Sequence, residues 1–250
     1  MPIILKSAKE LALMRLAGQI VAETLQRLRE RVRPGVSTAD LDLLAYETVT
    51  QRGARPAFLG YRGYPASLCA SINDEVVHGI PRPDRILNEG DIVSLDFGSI
   101  YQGYYGDAAI TVPVGKVSPE ADKLLVVTEQ ALYKGIEQAR AGHHLTDIGA
   151  AIQKHAEMAG FSVVRKYVGH GIGRAMHEKP EVPNFGPPCR GPILRPGLVL
   201  AIEPMVNTGT ADTLQLADGW TVVTADGGLS AHFEHTVAIT EGEPSILTLP

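Results

Sequence analysis

The chain states one structural plan twice, and that repetition limits what it can fold into more than any other feature. Arg33-Pro-Gly-Val-Ser-Thr-Ala-Asp40-Leu41 and Arg140-Ala-Gly-His-His-Leu-Thr-Asp147-Ile148 align without gaps at an offset of 107, and the helices that follow close at Gly53 and Gly160, again 107 apart. Gly90-Asp-Ile-Val-Ser-Leu-Asp96 and Gly197-Leu-Val-Leu-Ala-Ile-Glu203 share that offset, with Ile92, Val93 and Leu95 matched in kind by Val199, Leu200 and Ile202. With an insertion in the second half, Asp107-Ala-Ala-Ile-Thr-Val112 pairs with Glu234-His-Thr-Val-Ala-Ile239 at an offset of 127. Each half then offers one carboxylate at the end of a strand and a second at the start of the next. Two such units of mixed helix and strand, packed together, would bring Asp96, Asp107, Glu203 and Glu234 to a common centre.

Local signals place the elements. Ser7-Ala8-Lys9-Glu10 has the form of a capping box, and Leu11, Met14, Gly18, Val21, Leu25 and Leu28 follow at helical spacing, closed by Pro34-Gly35. Ser37 or Thr38 caps a second helix with Leu41, Leu44, Ala45 and Val49 inward; Ser118-Pro119-Glu120 opens a third towards Ala139; Thr146-Asp147 opens a fourth that ends at Gly160. Between Phe58 and Ile80 the pattern turns to short β-like runs that include Tyr61 and Tyr64. A buried strand over 90–98 delivers Asp96, later strands are expected near 162–168, 198–203, 221–223 and 232–240, and 184–196 reads as loop.

The acidic residues need partners, because an unpaired buried carboxylate is costly. If a tight turn is centred on Tyr101-Gln102, Asp96 and Asp107 sit opposite one another on an antiparallel pair and share a face. Like charges that close are tolerated when they share a proton or a cation. In Tyr167-Val-Gly-His-Gly-Ile-Gly-Arg-Ala-Met-His-Glu-Lys-Pro180, His170 stands between two glycines with His177 close behind. Gly169, Gly171 and Gly173 imply close approach of a ligand or of a second backbone. With His170 as a fifth ligand, four carboxylates suit two divalent cations, and this donor set leaves Mn, Fe, Co and Zn open.

Composition excludes other classes. The 250 residues carry a net charge of -5, which disfavours a general phosphate-backbone binder. No window approaches the about 20 apolar residues that span a bilayer. Met-Pro-Ile-Ile-Leu-Lys acquires charge too early for a signal peptide, and a cytoplasmic location is expected. Cys69 and Cys189 are too few for a disulfide framework and read as thiols.

Taken together, the Asp96 to Asp107 spacing, Gly-His170-Gly-Ile-Gly, Ile-Glu203-Pro-Met and Phe-Glu234-His-Thr resemble the methionine aminopeptidases, over essentially the whole chain and in the short bacterial type I form. The resemblance implies an α+β pita-bread fold, a single catalytic domain in which halves of about 1–115 and 116–250 form a curved antiparallel sheet covered by helices. It implies that Asp107 and Glu234 bridge two metals, that Asp96 chelates one, and that His170 with Glu203 completes the other. His78 and His177 match the family's non-ligand histidines, which hold the substrate's peptide nitrogen and carbonyl oxygen. Tyr61, Tyr64, Cys69 and Trp220 would line the methionine pocket, and the chain departs from some relatives at Phe58 and Met176.

The expected reaction is hydrolysis of the first peptide bond of a nascent polypeptide, with a small second residue preferred. A water shared by the metals attacks, Glu203 carries the proton to the leaving amine, and His177 steadies the oxyanion. Such a substrate carries the expectation of a transient ribosome contact. The competing readings are an X-Pro peptidase of the same fold, of the prolidase or aminopeptidase P kind, and a non-catalytic pita-bread module that binds peptides or ribosomes.

Overall fold

The computed structural model describes residues 2–250. Its first half runs through helices Ala8–Arg31 (α1) and Thr38–Gln51 (α2), then strands Arg55–Pro56 (β1), Cys69–Ile72 (β2), Glu75–Val77 (β3), Ile92–Tyr101 (β4) and Tyr104–Pro113 (β5). The second half opens with helices Pro119–Ile136 (α3) and Leu145–Met158 (α4), followed by Ser162–Val163 (β6), Gly169–Gly171 (β7), Glu178–Val182 (β8) and Val199–Ile202 (β9). Met205–Asn207 (β10), Thr213–Gln215 (β11), Val222–Thr224 (β12), Ser230–His232 (β13), Glu234–Ala238 (β14) and Ser245–Ile246 (β15) complete it. No described helix is long and apolar enough to cross a membrane.

The helix starts are written in side chains. Ser7 and Ser37 each accept from the backbone three residues on, and Glu10 and Asp40 return the bond to the cap residue. Each such cap contributes about 1 kcal/mol. Ser118 caps α3 with Pro119 at its first position, where no N–H is needed. The fourth helix begins one residue ahead of Thr146-Asp147: His144 is its cap, and the Asp147 carboxylate reaches back to the His144 N–H at 2.8 Å. Tyr61 lies in a short 3-10 turn, Tyr61–Gly63, instead of a β-run, and the expected strand over 162–168 is only the two-residue β6.

One nine-stranded sheet holds the halves together in the order β1-β4-β5-β14-β9-β7-β8, with β2 beside β4 and β15 beside β14. The repeat is visible in its hydrogen bonds. Gly35 N–H donates to Leu87 at 2.8 Å and Gly142 N–H to Leu194 at 3.0 Å; the isolated bridges Ser37 to Ile86 and His144 to Ile193 match in the same way. Every partner is shifted by the same 107 residues. In the sheet, β4-β5 is answered by β9-β14, with the two halves meeting where Glu234 pairs with Ala109.

Helices build their two main cores on one face, while Leu11 and Met14 at the start of α1 also pack with Val199 and Ala238. Val93, Leu95 and Phe97 of β4 pack with Leu25, Leu28, Leu41 and Val49 of α1 and α2. Leu200, Ile202 and Val237 pack in the same way with Leu124, Leu132, Ile148 and Ile152 of α3 and α4. Because successive side chains alternate, the even positions of β4 and the odd positions of β5 turn to the opposite face.

The hairpin register differs from the expected one. The turn is centred on Gln102-Gly103, at φ 48° and 82°, and Asp107 lies opposite Gly98 while Asp96 lies opposite Ala109. A two-residue hairpin turn with positive φ at both central positions matches strand twist, and Gln-Gly meets that demand where Tyr-Gln does not. The shift is two residues, so both aspartates keep a common face as diagonal neighbours.

Candidate active site

Five neighbouring strands each bring one expected ligand to the face turned away from the two main helix-covered cores. In sheet order these are Asp96 on β4, Asp107 on β5, Glu234 on β14, Glu203 just beyond β9, and His170 on β7. Registers confirm the common face: Asp96 and Glu234 both oppose Ala109, and His170 opposes Ala201. Gly98 leaves the space that Asp107 needs, since a Cβ there would stand 2.9 Å from Ala57 Cβ and 3.3 Å from Asp107 Oδ1.

Asp107, His170 and Glu234 each present a ligand atom within 4.8 Å of the others. Glu203 Oε1 lies 3.4 Å from His170 Nε2, and Asp107 Oδ2 lies 3.9 Å from the same nitrogen. Asp96 joins them as a wall of one cavity of about 150 Å³. All four acids are deeply placed, and Asp96 Oδ1, Asp107 Oδ1, Glu203 Oε1 and Glu234 Oε1 have no hydrogen-bond partner.

Electrostatics follow from that burial. Desolvation pushes Asp96 up to about 7. Desolvation also raises Asp107, helped by the charges of Asp96 and Glu203, and it raises Glu203 and Glu234, helped by their acidic neighbours. Burial holds His170 down at about 3, so its imidazole is neutral. Its Nδ1 lies 2.9 Å from the Gly171 carbonyl, which places the proton there and leaves the Nε2 lone pair facing carboxylate oxygens. Acceptors facing acceptors in a poorly solvated place require protons or cations between them. Oxygen donors with one imidazole fit divalent metal ions.

The expected substrate residues line the same cavity. His177 stands at its mouth, with Nδ1 2.8 Å from Tyr61 Oη and the two rings stacked at 5.5 Å between centroids. Burial and then the Arg62 charge lower its proton affinity. His78 holds a left-handed backbone at φ 61°, rare outside glycine and typical of functional strain. Its ring meets Tyr167 edge-on at 5.9 Å and Trp220 at 6.2 Å, and burial lowers it to about 4. Cys69 opposes Asp96 directly, which turns its thiol to the cavity. Tyr64, Cys69, Phe58 and Met176 form one buried apolar cluster, with Tyr61 and Trp220 packed against it. Tyr64 turns its hydroxyl to the carbonyls of Leu68 and Gly79 and offers the cavity only its ring. Trp220 comes from the second-half insertion, whose β12 pairs with β3 beside His78.

Sequence reasoning passed over Arg62 and Asn184. Arg62 lines the cavity mouth at φ 51°, on the glycine-flanked turn that carries Tyr61. Fully buried Asn184 donates to the Glu203 carbonyl at 3.0 Å and so holds that residue's backbone. The Gly60-Tyr-Arg-Gly63 turn was a signal for the first; nothing local marks the second. The glycines around His170 answer to backbone: a Cβ on Gly169 would overlap the Ala201 carbonyl oxygen, and one on Gly171 that of Lys179.

Residues 12–241 match metallopeptidase family M24. A methionine aminopeptidase of Clostridium acetobutylicum is 55% identical over 247 residues, covering 99% of both chains. The crystal structure of a methionine aminopeptidase from Thermotoga maritima superimposes with a TM-score of 0.98 at 45% identity, covering 100% of each chain. A prolidase from Pyrococcus horikoshii shares the fold at a TM-score of 0.78 and 22% identity, but 98% of this chain covers only 63% of that one.

Proposed function

The chain belongs to metallopeptidase family M24, among its methionine aminopeptidases, and on that premise we propose that it hydrolyses the first peptide bond of new polypeptides and releases their amino-terminal methionine. The observation that carries this reading is the meeting of four partnerless carboxylates and one neutral imidazole on the floor of a cavity with an apolar wall. About four negative charges suit two divalent cations, drawn from Mn, Fe, Co and Zn. Asp96, Asp107, His170, Glu203 and Glu234 would hold these ions. When bound, such ions supply an acidified water and a Lewis-acid contact for the substrate.

The side chains do the rest. Glu203 takes the proton from the attacking water and hands it to the leaving amine. Tyr61 holds His177 at Nδ1; with the phenol donating there, the imidazole carries its proton on Nε2 and donates it to the developing oxyanion. His78, kept neutral by burial, meets the peptide nitrogen of the substrate. Tyr64, Cys69 and Trp220, with Phe58 and Met176, give the flexible thioether an apolar seat. A small second residue is preferred where that side chain faces a crowded wall. A substrate still carrying its first methionine implies a cytoplasmic setting and a passing contact with the ribosome.

Metal-titrated hydrolysis of Met-Ala-Ser against Ala-Pro-Ala tests this. Free methionine released only when metal is supplied supports the reading; cleavage before proline alone would replace it with the X-Pro peptidase, and no cleavage of either with a peptide-binding module.

A further inference from the structure

The backbone from Ile172 to His177 has no regular structure, yet it must present His177 at a fixed place. It is pinned by the Glu178 side chain, which a lysine from the other half of the molecule holds in place. Glu178 Oε1 accepts the N–H groups of Arg174 at 2.8 Å and Ala175 at 3.3 Å, and Glu178 Oε2 accepts from Lys6 Nζ at 2.5 Å. Lys6 and Glu178 are 172 residues apart in the chain and their side chains are only 4% and 7% exposed. The lysine also donates to the Ile4 carbonyl at 3.0 Å, and its own N–H donates to Gly197 at 2.7 Å. Gly173 completes the fit: a Cβ there would stand 2.6 Å from Glu178 Oε1 and against the Lys6 stem, and its carbonyl accepts from Tyr105 N–H at 2.9 Å.

An ion pair this buried contributes little stability over a well-packed apolar pair, because desolvation offsets its attraction. What it does supply is a fixed geometry. Here that geometry is the turn leading into His177, whose ring is held independently by Tyr61.

We propose that Lys6 and Glu178 are positioning residues for His177: the amino-terminal strap of the first half locks the Gly173–Ala175 turn of the second and so sets where the imidazole meets the substrate. The proposal rests on the role given to His177 above. A displacement of about 1 Å in a reacting group can cost up to about a hundredfold in rate, so Lys6→Met should lower kcat about tenfold to a hundredfold. KM and bound metal, read by atomic emission, should stay unchanged. In a His177→Ala background, Lys6→Met should lower kcat no further. Amide hydrogen exchange at Arg174 and Ala175 should quicken in Lys6→Met and stay unchanged in His177→Ala. Should Lys6→Met fail to fold, Lys6→Met with Glu178→Gln removes the lone buried charge and should fold while keeping the low kcat. Wild-type kcat in either Lys6 variant, unchanged exchange, or an equal effect of Lys6→Met with and without His177 would overturn the proposal. Wild-type turnover in His177→Ala alone would instead remove the role of His177 on which it rests.

Discussion

Stripping the metal should make the folded protein lose stability as pH rises above about 7.5, and the loss can be sized from the buried acids. Burial holds Asp96 at about 7 instead of 3.8, and burial with mutual repulsion lifts Asp107, Glu203 and Glu234 well above their ordinary values. A carboxyl that keeps its proton in the fold and loses it in the unfolded chain makes the native state bind more protons. Stability then falls by about 1.4 kcal/mol per pH unit for each such group. The buried histidines run the other way: burial lowers His78, His170, His232 and His235 to about 4, 3, 3 and 4 in the fold against 6.5 in the unfolded chain. They add stability as pH climbs through that unfolded value, the last of it about 0.4 kcal/mol each above about pH 6.5, and nothing past about pH 7.5. Beyond that the raised carboxyls act alone. Each proton the site keeps from about pH 7.5 to about pH 9 costs about 2 kcal/mol, or about 4–8 °C in Tm for a chain of this length. Cations at the site take the place of those protons, and binding requires deprotonated ligands, so the metal-loaded protein should hold or gain Tm over the same range. Calorimetric melts of chelator-treated and reloaded protein across that window read the difference directly. A metal-free Tm that stays level or rises, or a gap between the two forms that does not widen with pH, would refute the reasoning.

Glu203→Gln should lower kcat on Met-Ala-Ser by about a hundredfold or more, the scale of a lost general acid-base group; turnover at the wild-type rate with metal bound would assign the proton to another residue. Tyr61→Phe removes the 2.8 Å bond to His177 Nδ1 and should reduce kcat while the Tm, measured alongside, hardly moves. Gly169→Ala drives a Cβ into the Ala201 carbonyl and should cost about 1–3 kcal/mol as overpacking does, read by urea unfolding; an unchanged midpoint would mean that β7 and β9 can part at no cost.

Much of this protein was legible from local chemistry. Serine caps followed three residues later by an acid, proline at a first helical position and glycine at left-handed ends act over a few residues, so α1, α2 and α3 start as expected. The repeat at a single offset did more, because it made Asp96 and Glu203 equivalent before any contact was known. Parity then carried the site through a misplaced turn: the hairpin closes on Gln102-Gly103, yet a shift of two residues leaves every side chain on its face.

Strand order and long-range pairs are another matter. That β5 meets β14 at Ala109 and Glu234, gathering the five expected ligands from five adjacent strands, depends on packing two separate cores against one sheet. The left-handed His78, Asn184 beneath Glu203, and the reach of β12 back to β3 are likewise set by neighbours far along the chain. So is the Lys6 to Glu178 pair, which no spacing rule could join across 172 residues. Short-range signals choose helix, strand and turn because their energies are settled within one turn of backbone. Which side chains then share a low-dielectric space, and must therefore find a cation or a partner, is decided only when distant segments exclude water together.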